Sequence, residues 1–151
     1  MSTISSICAS VTISGGEGTD HAQILRPCSG SSYSGGPGND SAVFAGSPRG
    51  VKADLGSGYV RYRNGSCGAS TRLGADVERL EGSPFDDWLI IGGRHPQQQG
   101  KSSLLGREGV NTLDSKNGRR DTVTTGPAAH RNKVIRDRRD KVIWGWGLAA
   151  F

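Results

Sequence analysis

Two stretches, "SGGEGTDHAQIL" at 14–25 and "SGGPGNDSAVFA" at 34–45, align without a gap twenty residues apart. Both read G-G-x-G-x-D-x-U-x, where U is apolar. The leading glycines admit left-handed and otherwise strained backbone, so a short turn can close tightly. The x-U-x tail is a strand of about three residues with its apolar side chain turned inward. No unit of that size buries its own apolar residue, so successive turns must stack into a solenoid. A shorter core of Asp or Asn, any residue and an apolar one recurs downstream. It appears as Asp87-Trp88-Leu89, Asn111-Thr112-Leu113, Asp121-Thr122-Val123, Asn132-Lys133-Val134 and Asp140-Lys141-Val142. The steps between the last four are ten, eleven and eight residues, a nonapeptide rhythm with slippage.

Composition agrees with thin layers. The 151 residues include 24 glycines, while hydrophobic residues make up 33% and aromatics 6%, too little for thick sandwich layers or helix bundles. The density of Gly, Pro, Ser and Asn disfavours helix throughout. The one helical candidate, "KVIRDRRDKVI" at 133–143, reads better as two short strands flanking a charged turn. The expected fold is therefore all-β: a parallel β-roll or β-helix of short strands and Gly-rich turns, closed by an apolar C-terminal cap. One domain spans 1–151, with the best-matched repeats at 14–45, degenerate basic repeats at 106–143 and a cap or docking tail at 144–151, where Trp144, Trp146 and Phe151 fall.

The nonapeptide resembles the calcium-binding repeat of the repeats-in-toxin (RTX, hemolysin-type) family. "GVKADLGSGYV" at 50–60 and "LGADVERLEGSPFDDWLIIGG" at 73–93 are similar to the entry segment that precedes such arrays, which places an entry-like segment at 50–93. The resemblance implies a degenerate member in which Ca2+ sits between turns stacked on one side, held by carboxylates and backbone carbonyls. Calcium suits such a cage because it takes six to eight oxygens at flexible angles. Asp20 and Asp40, close to one lap apart, are the leading ligands, with carbonyls near Gly16, Gly18, Gly36 and Gly38 and with Asn39 and Thr19 as minor contributors. The competing reading is that these are Asp-bearing glycine turns whose carboxylates bond nearby N–H groups. Asp86 and Asp87 form a second candidate, because two adjacent carboxylates before an apolar run call for a cation, either a metal or an arginine. Ser83, Pro84 and Phe85 replace the family's glycines there.

Net charge is +5, with Lys116, Arg119, Arg120, Arg131, Lys133, Arg136, Arg138, Arg139 and Lys141 crowded into 116–141. Asp121 and Asp140 should stack, with guanidinium groups in place of calcium, so the C-terminal part should fold without metal. The basic segment could meet an acidic surface or partner subunit. Nucleic acid is disfavoured as a partner because no aromatic residue is interleaved with those cations. His21, His95 and His130 have no nucleophile at a recognised spacing, and neither a nucleophile elbow nor a phosphate loop is present, so no enzyme is expected. Cys8, Cys28 and Cys67 leave an odd thiol and carry no zinc spacing. No stretch is long and apolar enough for a membrane span, and the N-terminal residues do not read as a secretion signal. Two roles follow: a calcium-binding structural or adhesive module of a secreted or surface-exposed protein, or a structural or decoration component of a phage virion or other assembly with little calcium dependence.

Overall fold

A computed structural model describes residues 2–4, 10–27, 30–65, 70–92 and 102–145. The three cysteines, His95, Trp146 and Phe151 lie outside the described residues, and with them the questions of disulfide pairing and of the terminal cap.

The chain lays down short strands in sequence: β1 (Ser2–Ile4), β2 (Thr12–Ser14), β3 (His21–Ile24), β4 (Ser32–Ser34), β5 (Ser41–Val43), β6 (Val51–Asp54), β7 (Tyr59–Tyr62) and β8 (Thr71–Leu73). There follow β9 (Arg79–Glu81), β10 (Trp88–Ile90), β11 (Ser103–Leu105), β12 (Thr112–Asp114), β13 (Thr122–Thr124), β14 (Lys133–Ile135) and β15 (Lys141–Ile143). A single 3₁₀ turn, Ala129–Arg131, is the only helical element among the described residues. The strands form two sheets: one of seven in the order β1-β3-β5-β9-β11-β13-β15, and one of eight in the order β14-β12-β10-β6-β7-β8-β4-β2. Every pairing in the first sheet is parallel, so the chain winds as a β-solenoid. No described helix is long and apolar enough to cross a membrane.

Register explains the core. Ala22 pairs with Ala42, Ala42 with Leu80, Leu80 with Leu104, Leu104 with Val123 and Val123 with Val142. The residues of this column therefore point inward from one lap to the next. Ile13, Tyr33, Leu73, Val60, Ala53, Leu89, Leu113 and Val134 do the same in the other sheet and join one cluster with the first column. The polar turns between strands are compact because successive turns lie directly on one another. At Gly36, φ is +99°, and a Cβ there would run into the carbonyl of Gly16 in the turn stacked on it. Only glycine fits both demands.

One lap departs from the rhythm. Between Ser41 and its partner Arg79 the chain enters the eight-stranded sheet at β6, doubles back as antiparallel β7, and turns again into β8 before continuing. The segment "DLGSG" is thus a hairpin turn, in which Asp54 Oδ1 accepts the N–H groups of Gly56 (2.8 Å) and Ser57 (3.2 Å) and Gly58 takes φ +74°. The entry-like segment read from 50–60 lies in this excursion.

Candidate functional site

Many of the strands are preceded by a polar residue whose side chain reaches the neighbouring rung. In the seven-stranded sheet the N–H of Asp20 donates to Asp40 Oδ1 at 2.8 Å, and the N–H of Asp40 donates to Glu78 Oε2 at 2.8 Å. Ser102 N–H donates to Asp121 Oδ1, and Asp121 N–H to Asp140 Oδ1, both at 2.9 Å. The other sheet repeats the device: Val11 N–H to Ser31 Oγ, Val51 N–H to Asp87 Oδ1, Asp87 N–H to Asn111 Oδ1 and Asn111 N–H to Asn132 Oδ1. One side-chain oxygen per rung therefore satisfies a backbone donor that the turn leaves over.

The second terminal atom of those same side chains decides the chemistry. In Asn111 it is nitrogen, and it donates to the carbonyls of Gly106 (2.9 Å) and Glu108 (3.0 Å) inside its own turn. Asn132 likewise donates to Thr125 O (3.0 Å) and Ala128 O (2.9 Å). In Asp20 and Asp40 the corresponding atom is an oxygen, Oδ2, buried and without a hydrogen-bond partner. The placement is equivalent: the glycine five residues earlier packs on Oδ2 at Gly15/Asp20 and Gly35/Asp40, and on Nδ2 at Gly106/Asn111. An ionised oxygen buried there without a donor carries a desolvation cost that a proton or a cation would relieve. Burial, followed by the carboxylate of Asp20, pushes the Asp40 carboxyl above the ordinary carboxylate range, against the lowering effect of the Asp20 N–H. Tyr33, buried with an unpartnered hydroxyl, is also raised, by burial first and then by Asp40, Asp20, Asp76 and Glu78.

The structure thus brings Asp20 and Asp40 onto one side, one rung apart. Gly16 and Gly18 lie beside Gly36 and Gly38 in the stacked turns, where Gly18 and Gly38 bridge and Gly18 O accepts Asn39 N–H at 3.2 Å. Asn39 and Thr19 are exposed at the turn tips. The donor set fits a hard cation, because the only free atoms are oxygens. Among the described residues no three His, Cys, Asp or Glu side chains converge on one point, so backbone carbonyls would have to complete the cage.

Asp86 and Asp87 part company. Asp87 is fully buried and accepts three bonds, from Val51 N–H (2.7 Å), Ser83 N–H (2.7 Å) and Ser83 Oγ (2.7 Å). Val51 and Ser83 thus supply donors to both of its oxygens. Burial nevertheless dominates those bonds and pushes this carboxyl up to about 6. Asp86 is exposed and braces the next turn through Val110 N–H at 2.6 Å.

Asp121 and Asp140 stack as expected, but the groups that meet Asp140 are not guanidinium. They are the N–H groups of Asp121 and Asp137 and the hydroxyl of Ser115, the last two at 2.8 Å on Oδ2. Asp121 keeps one buried unpartnered oxygen, and burial raises its pKa against the Ser102 N–H, which acts in the opposite sense. Two acids escaped the sequence reading. Asp76 accepts Ser34 Oγ (2.6 Å) and the N–H groups of Gly35 (3.1 Å) and Gly36 (2.9 Å), and Glu78 fills a ladder position expected to hold Asp or Asn. The signal for Glu78 was its place directly before the apolar-centred triplet Arg79-Leu80-Glu81.

No protein-family model matches the chain, and no curated protein matches it significantly.

Proposed function

We propose that the chain is a structural β-solenoid module of the RTX type that binds Ca2+ in the N-terminal turns. Asp20 and Asp40 would contribute Oδ2, and the stacked glycine turns, with the carbonyls around Gly15–Gly18 and Gly35–Gly38, would complete the oxygen set. The observation that carries this reading is the contrast between Asn111, whose Nδ2 is satisfied by two turn carbonyls, and Asp40, whose Oδ2 in the equivalent place is buried without a partner. Calcium would neutralise two carboxylates whose Oδ2 atoms are buried and replace the missing donor, linking two rungs of a chain with no α-helix among its described residues to brace it. A rigid rod of this kind suits an adhesive or spacer role on a secreted or surface-exposed protein.

A second reading, a structural or decoration component of an assembly such as a phage virion, is favoured by the other rungs. From Asp87 onward most ladder positions are already closed by Ser83, Ser115 or an asparagine amide, so that part of the rod needs no ion.

Asp40→Asn separates the two. The amide keeps an oxygen for Asp20 N–H and supplies a donor to the turn. Calorimetric titration with calcium should show binding to the natural chain and none to the variant. The metal-free variant should melt higher, by about 1–2 kcal/mol of added stability, because an unsatisfied buried oxygen has been removed. Equal calcium binding by both proteins, or none by the natural chain, would overturn the calcium reading and leave the assembly role.

A further inference from the structure

The antiparallel excursion has a consequence on the outside of the rod. Strands β6 and β7 lie side by side in the middle of the eight-stranded sheet, flanked by β10 and β8. Their outward residues form one face. Lys52 pairs with Arg61 across β6 and β7, Lys52 with Trp88 across β6 and β10, and Tyr59 with Arg72 across β7 and β8. Tyr59 and Trp88 are exposed, at 42% and 36%. Each carries a cation: Lys52 Nζ stands 4.0 Å from the Trp88 ring centroid, and the Arg72 guanidinium stands 5.8 Å from that of Tyr59 while donating to its hydroxyl at 3.3 Å. Rings of this kind hold basic side chains in place over the sheet rather than letting them swing in solvent.

Tyr59 is also a ridge between two shallow troughs. One, about 320 Å³, is lined by Lys52, Asp54, Arg61 and Ser70; the other, about 360 Å³, by Arg72, Ser32 and Ser70. Each is at the small end of the ligand-site range. Cations, serine hydroxyls and an aromatic edge alternate along the face, and rungs are spaced at about 4.8 Å. A linear polymer of ring-shaped, hydroxylated and negatively charged units matches that alternation. Asp54 lies among the cations, which suits a partner with hydroxyl groups to donate and disfavours one with an unbroken run of phosphates.

We propose that this face binds a carboxylated polysaccharide, one sugar in each trough on either side of Tyr59, with Arg61, Lys52 and Arg72 meeting uronate carboxylates. Arginine suits this partner because its planar fork matches a carboxylate bidentately. The site is independent of the turn stack at Asp20 and Asp40.

Calorimetric titration of the full chain in chelator-treated buffer tests the assignment, because any calcium site is then empty by design. The probes are oligomers of galacturonate and of mannuronate, a neutral glucose oligomer and oligo-dT. At least one uronate oligomer should bind, more weakly as salt rises, and the neutral oligomer should not. Lys52→Ala/Arg61→Ala should weaken that binding about tenfold, while Arg138→Ala/Arg139→Ala, on an exposed turn elsewhere, should leave it within twofold. Tyr59→Phe should retain binding and Tyr59→Ala should lose it, with far-ultraviolet spectra confirming that each variant is folded. Absence of binding to both uronates, oligo-dT binding more tightly than either, or equal losses in the two double variants would overturn the proposal.

Discussion

Asp87 sets the terms at the residue scale. It has three donors and no exposure, yet burial outweighs them and lifts its carboxyl to about 6. A folded-state value above the ordinary 3.8 means that the native protein holds this proton more tightly than the unfolded chain does. The associated stability is fully present below about pH 4 and is lost as pH rises through about 6, a swing of about 3 kcal/mol. The gap in melting temperature between the natural chain and Asp87→Ala should therefore narrow from pH 4 to pH 7; a gap constant across that range would contradict the assignment. Carbon-13 titration of the Asp87 carboxyl should have its midpoint near 6. Gly36 is limited in a different way, by φ and by the carbonyl of Gly16. Gly36→Ala should cost about 2 kcal/mol or more in a thermal melt, and a neutral substitution would mean that the turns are not stacked this closely.

At the scale of the element, most strands present only one or two residues inward, so truncating one of them removes much of what the strand contributes. Leu80→Ala and Leu113→Ala, both fully buried, should each destabilise by about 2–5 kcal/mol, measurable by urea denaturation. Much of this layer was legible in the sequence. All five Asp-or-Asn cores after residue 86 fall directly before a strand, and the "KVIRDRRDKVI" segment forms β14 and β15 with a turn between. The occupants at 31 and 78 were not legible, because the position asks only for some acceptor to reach one N–H, and Ser31 and Glu78 serve as well as aspartate. Ser83 was equally hidden. It was read as a departure from a glycine pattern, whereas its hydroxyl and N–H complete the Asp87 turn.

For the whole molecule, the inserted hairpin was the least legible feature. Its turn residues are present at Asp54–Gly58, but nothing local distinguishes a hairpin within the sheet from a strand entering the array. The cationic and aromatic face followed the same fate, since Lys52, Tyr59, Arg72 and Trp88 come from four strands and meet only through register. Aromatic residues were sought among the basic residues of 116–141, whereas the structure interleaves them with cations from earlier strands. The rod also divides along its length by how its turns are closed. Orphaned oxygens lie at Asp20 and Asp40 near one end, and asparagine amides at Asn111 and Asn132 near the other, with Asp121 alone among the later turns keeping an unpartnered oxygen. Hydrogen exchange on the full chain should accordingly show calcium slowing the amides of 12–43 and leaving those of 111–114 and 133–135 unchanged.

The central claim is that the second terminal atom of each ladder side chain, matched or unmatched by its turn, decides whether that turn needs an ion. Asn111→Asp tests it most directly, because it places an oxygen opposite the carbonyls of Gly106 and Glu108 while preserving the acceptor for Asp87 N–H. Thermal melts with and without calcium should show the metal-free variant losing about 1–3 kcal/mol at neutral pH and regaining part of it with calcium or on acidification. A variant as stable as the natural chain in chelator, or one that neither calcium nor protons rescue, would contradict the account.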